Sequence, residues 1–181
     1  MTPWQQVVER AAPAWRPLSD EEDRAVWPEF EHRFTFRPSV NADQWPGIAE
    51  PADSRTYAVG WAYGDEGEYT RLTMDLCEKL HAALRRCVAS NEAIWVLDWQ
   101  HPAYRFSPHE PFRYASEDDW PVPAFPNGDY HIFLAPDLRF GVFGHPWEQT
   151  ICVFGRTLLE AFDADKPALF ATSIRIGGRA V

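Results

Sequence analysis

The sequence predicts an α+β fold: a single domain with a mostly antiparallel sheet and two or three helices packed on one face. The length of 181 residues suits one hydrophobic core. Nine tryptophans and twelve phenylalanines favour half-buried pleated surfaces. The C-terminal half alternates short apolar runs with turn signals, as in a meander. We divide the chain into a Trp/Pro-rich arm (1–18), the α+β domain (19–165) and a C-terminal tail (166–181) whose order the sequence leaves open.

The domain begins with a capped helix. Ser19 and Glu22 have the spacing of a capping box, and apolar residues then recur at helical intervals. Pro28 lies within this pattern, and it predicts either a kink or a new first turn because proline removes a backbone hydrogen bond. Residues 37–54 form a long polar loop. Over residues 57–63, every second residue is large and apolar or aromatic (Tyr57, Val59, Trp61 and Tyr63), which predicts a strand with one buried face.

The clearest helix lies in the middle of the chain. Its apolar residues follow one another at spacings of three and four from Tyr69 to Cys87. The run AIWVLDW at 93–99 predicts a strand, and 100–119 is a polar, proline-rich loop.

The C-terminal half predicts successive hairpins. PVPAF (121–125) and YHIFL (130–134) flank an Asn-Gly turn, and RFGVF (139–143) follows after a second turn that contains proline. TICVF (150–154) is a further strand, and RTLLEAFDA (156–164) is a short helix.

The charge of the chain limits its partners. Its 17 basic and 27 acidic residues leave a net charge of −10, which repels nucleic acids and anionic membranes and attracts basic proteins. We therefore predict no nucleic-acid or membrane partner. The acidic residues concentrate at 20–23, 65–68 and 117–119, runs that are typical of helix starts and solvated loops.

The cysteines predict reduced thiols. About 15 Å of helix rise separates Cys77 from Cys87, too far for a disulfide, and Cys152 lies in an apolar strand. Since we also find no signal peptide and no apolar run of ~20 residues, we predict a cytoplasmic protein.

Two His-Pro motifs carry the candidate chemistry, DWQHP at 98–102 and GHPWE at 144–148. With a histidine from YHIFL, they supply the candidate catalytic residues Asp98, His101, His131, His145 and Glu148. The candidate binding residues around them are Trp99, Tyr104, Arg105, Asp129, Tyr130 and Trp147.

Several of these positions have two interpretations. Asp98 follows an apolar strand and must be paired, with Arg105, His101 or a tyrosine hydroxyl as partner. It is either a brace for the following loop or a general base with a raised pKa. Strand alternation places His131 on the face opposite Tyr130. Asp129 ends a turn, where its expected role is to bond turn amides.

The second motif predicts a β-to-β corner. Gly144 and Pro146 shape the corner and Trp147 joins the core, so that only His145 and Glu148 remain candidates for chemistry.

No metal site or cofactor is predicted. Zinc motifs usually show tight pairs such as HxxxH or CxxC, whereas the histidines here are scattered. The chain also lacks a GxSxG elbow and a glycine-rich phosphate loop.

Three segments together resemble the bacterial family named domain of unknown function 2716. They are WRPLSDEEDRAVWPEFEHRFTFRPS (15–39), LDWQHPAYRF (97–106) and FPNGDYHIFLAPDLRFGVFGHPWEQTICVFG (125–155). The resemblance implies a small cytoplasmic bacterial protein. It implies no reaction and transfers no catalytic residue.

Three functional hypotheses follow. The first is a binding protein, immunity- or antitoxin-like, with a basic protein as partner. The second is a small enzyme that uses acid–base or metal-assisted chemistry on a small molecule in an aromatic-lined pocket. In the third, both His-Pro motifs are purely structural corners. The lack of a recognised catalytic motif favours binding over catalysis.

Overall fold

A computed structural model describes residues 2–181 and places four α-helices around one nine-stranded sheet. The helices are α1 (Pro3–Ala11), α2 (Asp20–Phe34), α3 (Glu66–Cys87) and α4 (Arg156–Ala164). The strands are β1 (Trp15–Pro17), β2 (Ser54–Ala58), β3 (Ile94–Asp98), β4 (Tyr104–Phe106), β5 (His131–Leu134), β6 (Gly141–His145), β7 (Thr150–Phe154), β8 (Thr172–Ile176) and β9 (Arg179–Ala180). Their order is β1-β4-β3-β5-β6-β7-β2-β8-β9, and every neighbouring pair is antiparallel.

The sheet has a hydrophobic core on each face. On one face, α1, α3 and α4 pack against residues such as Phe133 and Val153. On the other, the α2 residues Val26, Phe30 and Phe34 pack against Leu97, Ile132, Phe143 and Phe154. The predicted α+β class with its antiparallel sheet is confirmed, but the helices predicted on one face lie on both, because α2 covers the face opposite α1, α3 and α4.

Both ends of the chain join this sheet. The predicted arm contributes α1 and β1, and β1 pairs with β4. The predicted tail contributes β8, which pairs with β2, and β9. The sequence left the order of the tail open, and the structure places it at the edge of the sheet.

The capping box of α2 forms as predicted. The Ser19 backbone N–H donates to Glu22 Oε2 at 2.8 Å, and the Glu22 N–H donates to the Ser19 hydroxyl at 3.3 Å. The helix continues through Pro28 for 15 residues, so that Pro28 does not begin a new helix.

The strand predicted over 57–63 is wrong in its second half. Strand β2 ends at Ala58, and Gly60–Gly64 is a 3₁₀ helix that leaves Trp61 46 % and Tyr63 47 % exposed. Strand β2 ends where its two partners begin, since Ala58 lies opposite Thr150 of β7 and Thr172 of β8, the first residues of those strands.

Two further predictions fail around the meander. Residues 121–125 form no strand, since Pro121 and Pro123 cannot donate to a ladder. Strand β4 lies inside the predicted loop 100–119, and its three residues are too short to show a period. By contrast, β5, β6, β7 and α4 confirm the rest of the C-terminal prediction.

All three cysteines are free, as predicted. Within residues 2–181, no helix combines the length and apolar character needed to cross a bilayer.

Candidate functional site

Four polar side chains meet where β3 ends and β5 begins. Asp98 and His131 are directly paired across these strands, so that their side chains share one face of the sheet. The turn after β3 brings His101 Nδ1 to 3.2 Å from Asp98 Oδ1 and 3.3 Å from Asp129 Oδ2. His131 Nε2 lies 3.8 Å from Asp98 Oδ1. We refer to Asp98, His101, Asp129 and His131 as the acid–imidazole cluster.

Local hydrogen bonds hold this cluster in place. His131 Nδ1 donates to the Phe125 carbonyl at 2.9 Å, which fixes the orientation of its ring. Asp129 Oδ1 accepts the Tyr130 backbone N–H at 2.8 Å, the turn role that the sequence predicts. The other Asp129 oxygen remains free to face His101.

Burial shifts the ionisation of the cluster. It raises the pKa of Asp98 to about 6, against the opposing effect of His101. It also raises the pKa of Asp129, and it lowers the pKa of His131 to about 4. The hydrogen-bond partner of Asp98 is His101, one of the three partners that the sequence suggested. Arg105 instead pairs with Glu22 of α2 at 2.9 Å.

A pocket of about 290 Å³ opens beside the cluster. It is lined by Trp4, Asp98, His101, Pro102, Tyr104 and Pro121, and we refer to it as the Tyr104 pocket. Tyr104 is only 1 % exposed, yet its hydroxyl has no hydrogen-bond partner. Burial and the nearby Asp98 charge raise the pKa of this hydroxyl, so it stays protonated. A buried hydroxyl without a partner is rare and calls for an explanation, such as an ordered water or a bound ligand.

His145 and Glu148 lie apart from the cluster, on the opposite face of the sheet. His131 pairs with Gly144, so the next residue, His145, points to the other side. Its Nδ1 accepts the Glu148 backbone N–H at 3.0 Å, and its Nε2 lies 3.4 Å from the Tyr130 hydroxyl. The five candidate catalytic residues therefore do not share one cleft.

Glu148 belongs to a partly buried ion-pair network that sequence reasoning missed. Arg175 of β8 donates to both Glu148 oxygens at 2.7 and 2.8 Å, and to Glu50 Oε1 at 2.9 Å. Burial opposes ionisation of Glu148, but the bonds from Arg175 and Thr150 lower its pKa. No sequence signal links these residues, which lie on separate segments.

Three of the candidate binding residues form an aromatic group. Ring centroids lie 5.7 Å apart for Trp99 and Tyr130, and 5.1 Å apart for Tyr130 and Trp147. Trp147 is 37 % exposed, so its predicted place in the core is wrong. The predicted corner itself forms between β6 and β7. Gly144, however, lies within β6, where a Cβ would come within 2.8 Å of Pro126.

The chain resembles known sequences over most of its length. A family model described as "Protein of unknown function (DUF2716)" matches residues 17–159, a range that contains the whole acid–imidazole cluster. The "Uncharacterized protein YxiI" of Bacillus subtilis (strain 168) is 34 % identical over 159 residues, which cover 86 % of this chain and 96 % of that protein. No solved structure matches the chain.

Proposed function

The chain belongs to the DUF2716 family, and from its site geometry we propose that it is a small enzyme. Its reaction centre is the acid–imidazole cluster, and its substrate is a small polar molecule bound in the Tyr104 pocket. Carboxylates and imidazoles in contact can hold and transfer protons, which is the basis of acid–base catalysis.

The unpartnered Tyr104 hydroxyl is the observation that carries this proposal. Leaving a buried hydroxyl unbonded costs about 1–3 kcal/mol, which a ligand with a polar atom would relieve. Tyr104 lines the same pocket as Asp98 and His101, and its hydroxyl is buried behind that wall. A substrate that bonds to Tyr104 would thus lie beside the groups that can act on it.

The shape of the pocket supports a small substrate. Its volume of about 290 Å³ is near the lower end of ligand pockets, so it suits a metabolite-sized molecule. Trp4, Pro102 and Pro121 supply apolar walls, and Asp98 and His101 supply the few polar groups that orient a ligand.

A panel of chromogenic p-nitrophenyl esters, phosphates and glycosides tests the proposal. We expect Asp98→Asn to lower turnover at least about 100-fold, the usual contribution of one acid–base group. The matched control is His32→Asn, which changes an exposed histidine on α2 and should preserve turnover. Turnover by Asp98→Asn equal to that of the parent chain, or no turnover of the panel by either, would count against the proposal.

The alternative, a basic protein partner, has weaker support. Each acidic run has a role at a helix start: residues 20–23 form the first turn of α2, Asp65 caps α3, and Asp119 accepts backbone N–H groups of Ala115 and Ser116. Local structure therefore accounts for these charges without a partner. Saturable, salt-sensitive binding to a purified basic protein encoded beside this chain would reverse this preference.

A further inference from the structure

We propose that Asp98, His101 and Asp129 bind one divalent transition-metal ion, with Zn²⁺ as the best-fitting member of that class. This inference rests on the proposed function, since it names the cofactor of the same site. It departs from the absence of a metal that the sequence predicts.

The spacing of the donor atoms fits direct coordination. Ligand atoms bound tetrahedrally at about 2.0–2.2 Å lie roughly 3.3–3.6 Å from one another. His101 Nδ1 lies 3.2 Å from the Asp98 oxygen and 3.3 Å from the Asp129 oxygen. The three donor atoms all lie within 4.8 Å of one another. Small movements would therefore bring them around one ion, and the exposed side of His101 leaves a position open for water or substrate.

The charges at the site also call for a cation. Asp98 and Asp129 have side chains only 14 % and 13 % exposed. Within residues 2–181, no lysine or arginine lies within 4.0 Å of either carboxylate, and their ion-pair partners are His101 and His131. A divalent ion would balance two carboxylates that no arginine or lysine neutralises.

His131 lies beside the proposed ligands and is not one of them. Its side chain is 4 % exposed, and its Nδ1 donates to the Phe125 carbonyl, which fixes the ring. Its Nε2 lies 3.8 Å from Asp98 Oδ1, beyond hydrogen-bond distance, so His131 does not satisfy that carboxylate.

The mixture of donors selects the class of metal. Imidazole suits Zn²⁺ and other late transition metals, whereas Mg²⁺ requires octahedral oxygen ligands. The imidazole ligand therefore favours Zn²⁺ over Mg²⁺.

Isothermal titration calorimetry of the EDTA-treated full chain tests the proposal. We expect one Zn²⁺ per chain, with Mg²⁺ bound at least tenfold more weakly. His101→Ala and Asp129→Asn should each weaken Zn²⁺ binding at least about tenfold. His101 is 60 % exposed, so its removal should leave the fold intact, which circular dichroism will check. His32→Ala removes an exposed histidine elsewhere and should not change the binding.

Three results would overturn the metal site: no saturable Zn²⁺ binding, equal binding by both site variants and the parent chain, or Mg²⁺ binding as tight as Zn²⁺ binding. Failure of the metal is distinct from failure of the enzyme. If Zn²⁺ does not bind but Asp98→Asn still abolishes turnover, the ion is refuted and the reaction centre stands. If Zn²⁺ binds but no substrate is turned over, the ion stands and the enzyme proposal fails.

Discussion

The two His-Pro motifs contain the same dipeptide in opposite environments. His101 is 60 % exposed and lies between two carboxylates at the mouth of a pocket. His145 is 1 % exposed, and both of its nitrogens face partners inside the protein. The structural-corner hypothesis thus fits His145, and the chemical hypothesis fits His101. The difference arises because His101 lies in the loop after β3, whereas His145 is the last residue of β6 and pairs with Thr150 of β7.

At the residue scale, the Tyr104 hydroxyl makes a direct prediction. Because it has no hydrogen-bond partner, Tyr104→Phe should leave the free energy of unfolding within about 1 kcal/mol of the parent chain, or raise it. Urea denaturation of the ligand-free protein measures this change.

Tyr130→Phe is the matched control for this substitution. The Tyr130 hydroxyl accepts the Ser39 N–H at 3.0 Å and donates to the Ser39 carbonyl at 3.2 Å. Its loss should cost about 1–2 kcal/mol. A comparable loss for Tyr104→Phe would mean that the Tyr104 hydroxyl serves the fold and is not reserved for a ligand.

At the element scale, Arg175, whose side chain is 15 % exposed, links β8 to residues outside its own ladder. Most of the β8 side chains are partly or fully exposed, so apolar burial contributes little to its attachment. Arg175 bridges Glu148, on the corner after β6, and Glu50, whose side chain is 1 % exposed. The backbone ladder to β2 and this network together fix the C-terminal segment.

We therefore predict that Arg175→Ala destabilises the protein strongly. Removing one member of a buried ion pair leaves the other charges without compensation and usually costs about 3–5 kcal/mol, and the partial exposure of Arg175 and Glu148 places this change near the lower end of that range. Arg179→Ala, in the neighbouring β9, is the control, and it should change stability by less than about 0.5 kcal/mol because that residue is exposed. Thermal or urea unfolding of both variants decides the question, and equal effects would refute the role of Arg175.

The elements differ in how well the sequence predicts them. The helices α3 and α4 were predictable because their apolar stripes are long or cleanly bounded. Residues 57–63 also alternate like a strand, but β2 ends at Ala58, opposite the first residues of β7 and β8. Where those partner strands begin depends on segments distant in sequence, so the local pattern cannot predict where β2 ends.

At the scale of the whole molecule, the sheet separates two polar sites. Strand alternation alone predicted that His131 and Tyr130 face opposite ways, and the structure confirms it. Sequence could not reveal that β3 pairs with β5, because β4 and the long irregular segment after it separate the two strands along the chain. That pairing decides which candidate residues meet. It brings Asp98 to His131 and Asp129, and it leaves His145 and Glu148 on the far side.

The buried His145 also predicts how the stability of the whole protein depends on pH. Burial lowers the pKa of His145 to about 4, below the ordinary value of about 6.5 in an unfolded chain. Between these values the unfolded state binds the extra proton, so the free energy of unfolding falls as the pH drops from 6.5 to 4. This effect alone makes the free energy of unfolding about 3 kcal/mol larger above pH 6.5 than below pH 4.

His145→Asn tests this dependence. Asparagine can still accept the Glu148 N–H but does not titrate, so the variant should be less stable than the parent chain at pH 8, and the difference should shrink towards pH 4. Urea unfolding at pH 8, 6, 5 and 4 gives the comparison. Groups common to both proteins, including Asp98, whose raised pKa acts in the opposite direction, cancel in this difference. His32→Asn changes an exposed residue, so the free energy of unfolding of this variant should follow that of the parent chain at each pH. A stability difference between His145→Asn and the parent chain that stays constant with pH would contradict the buried, neutral state of His145.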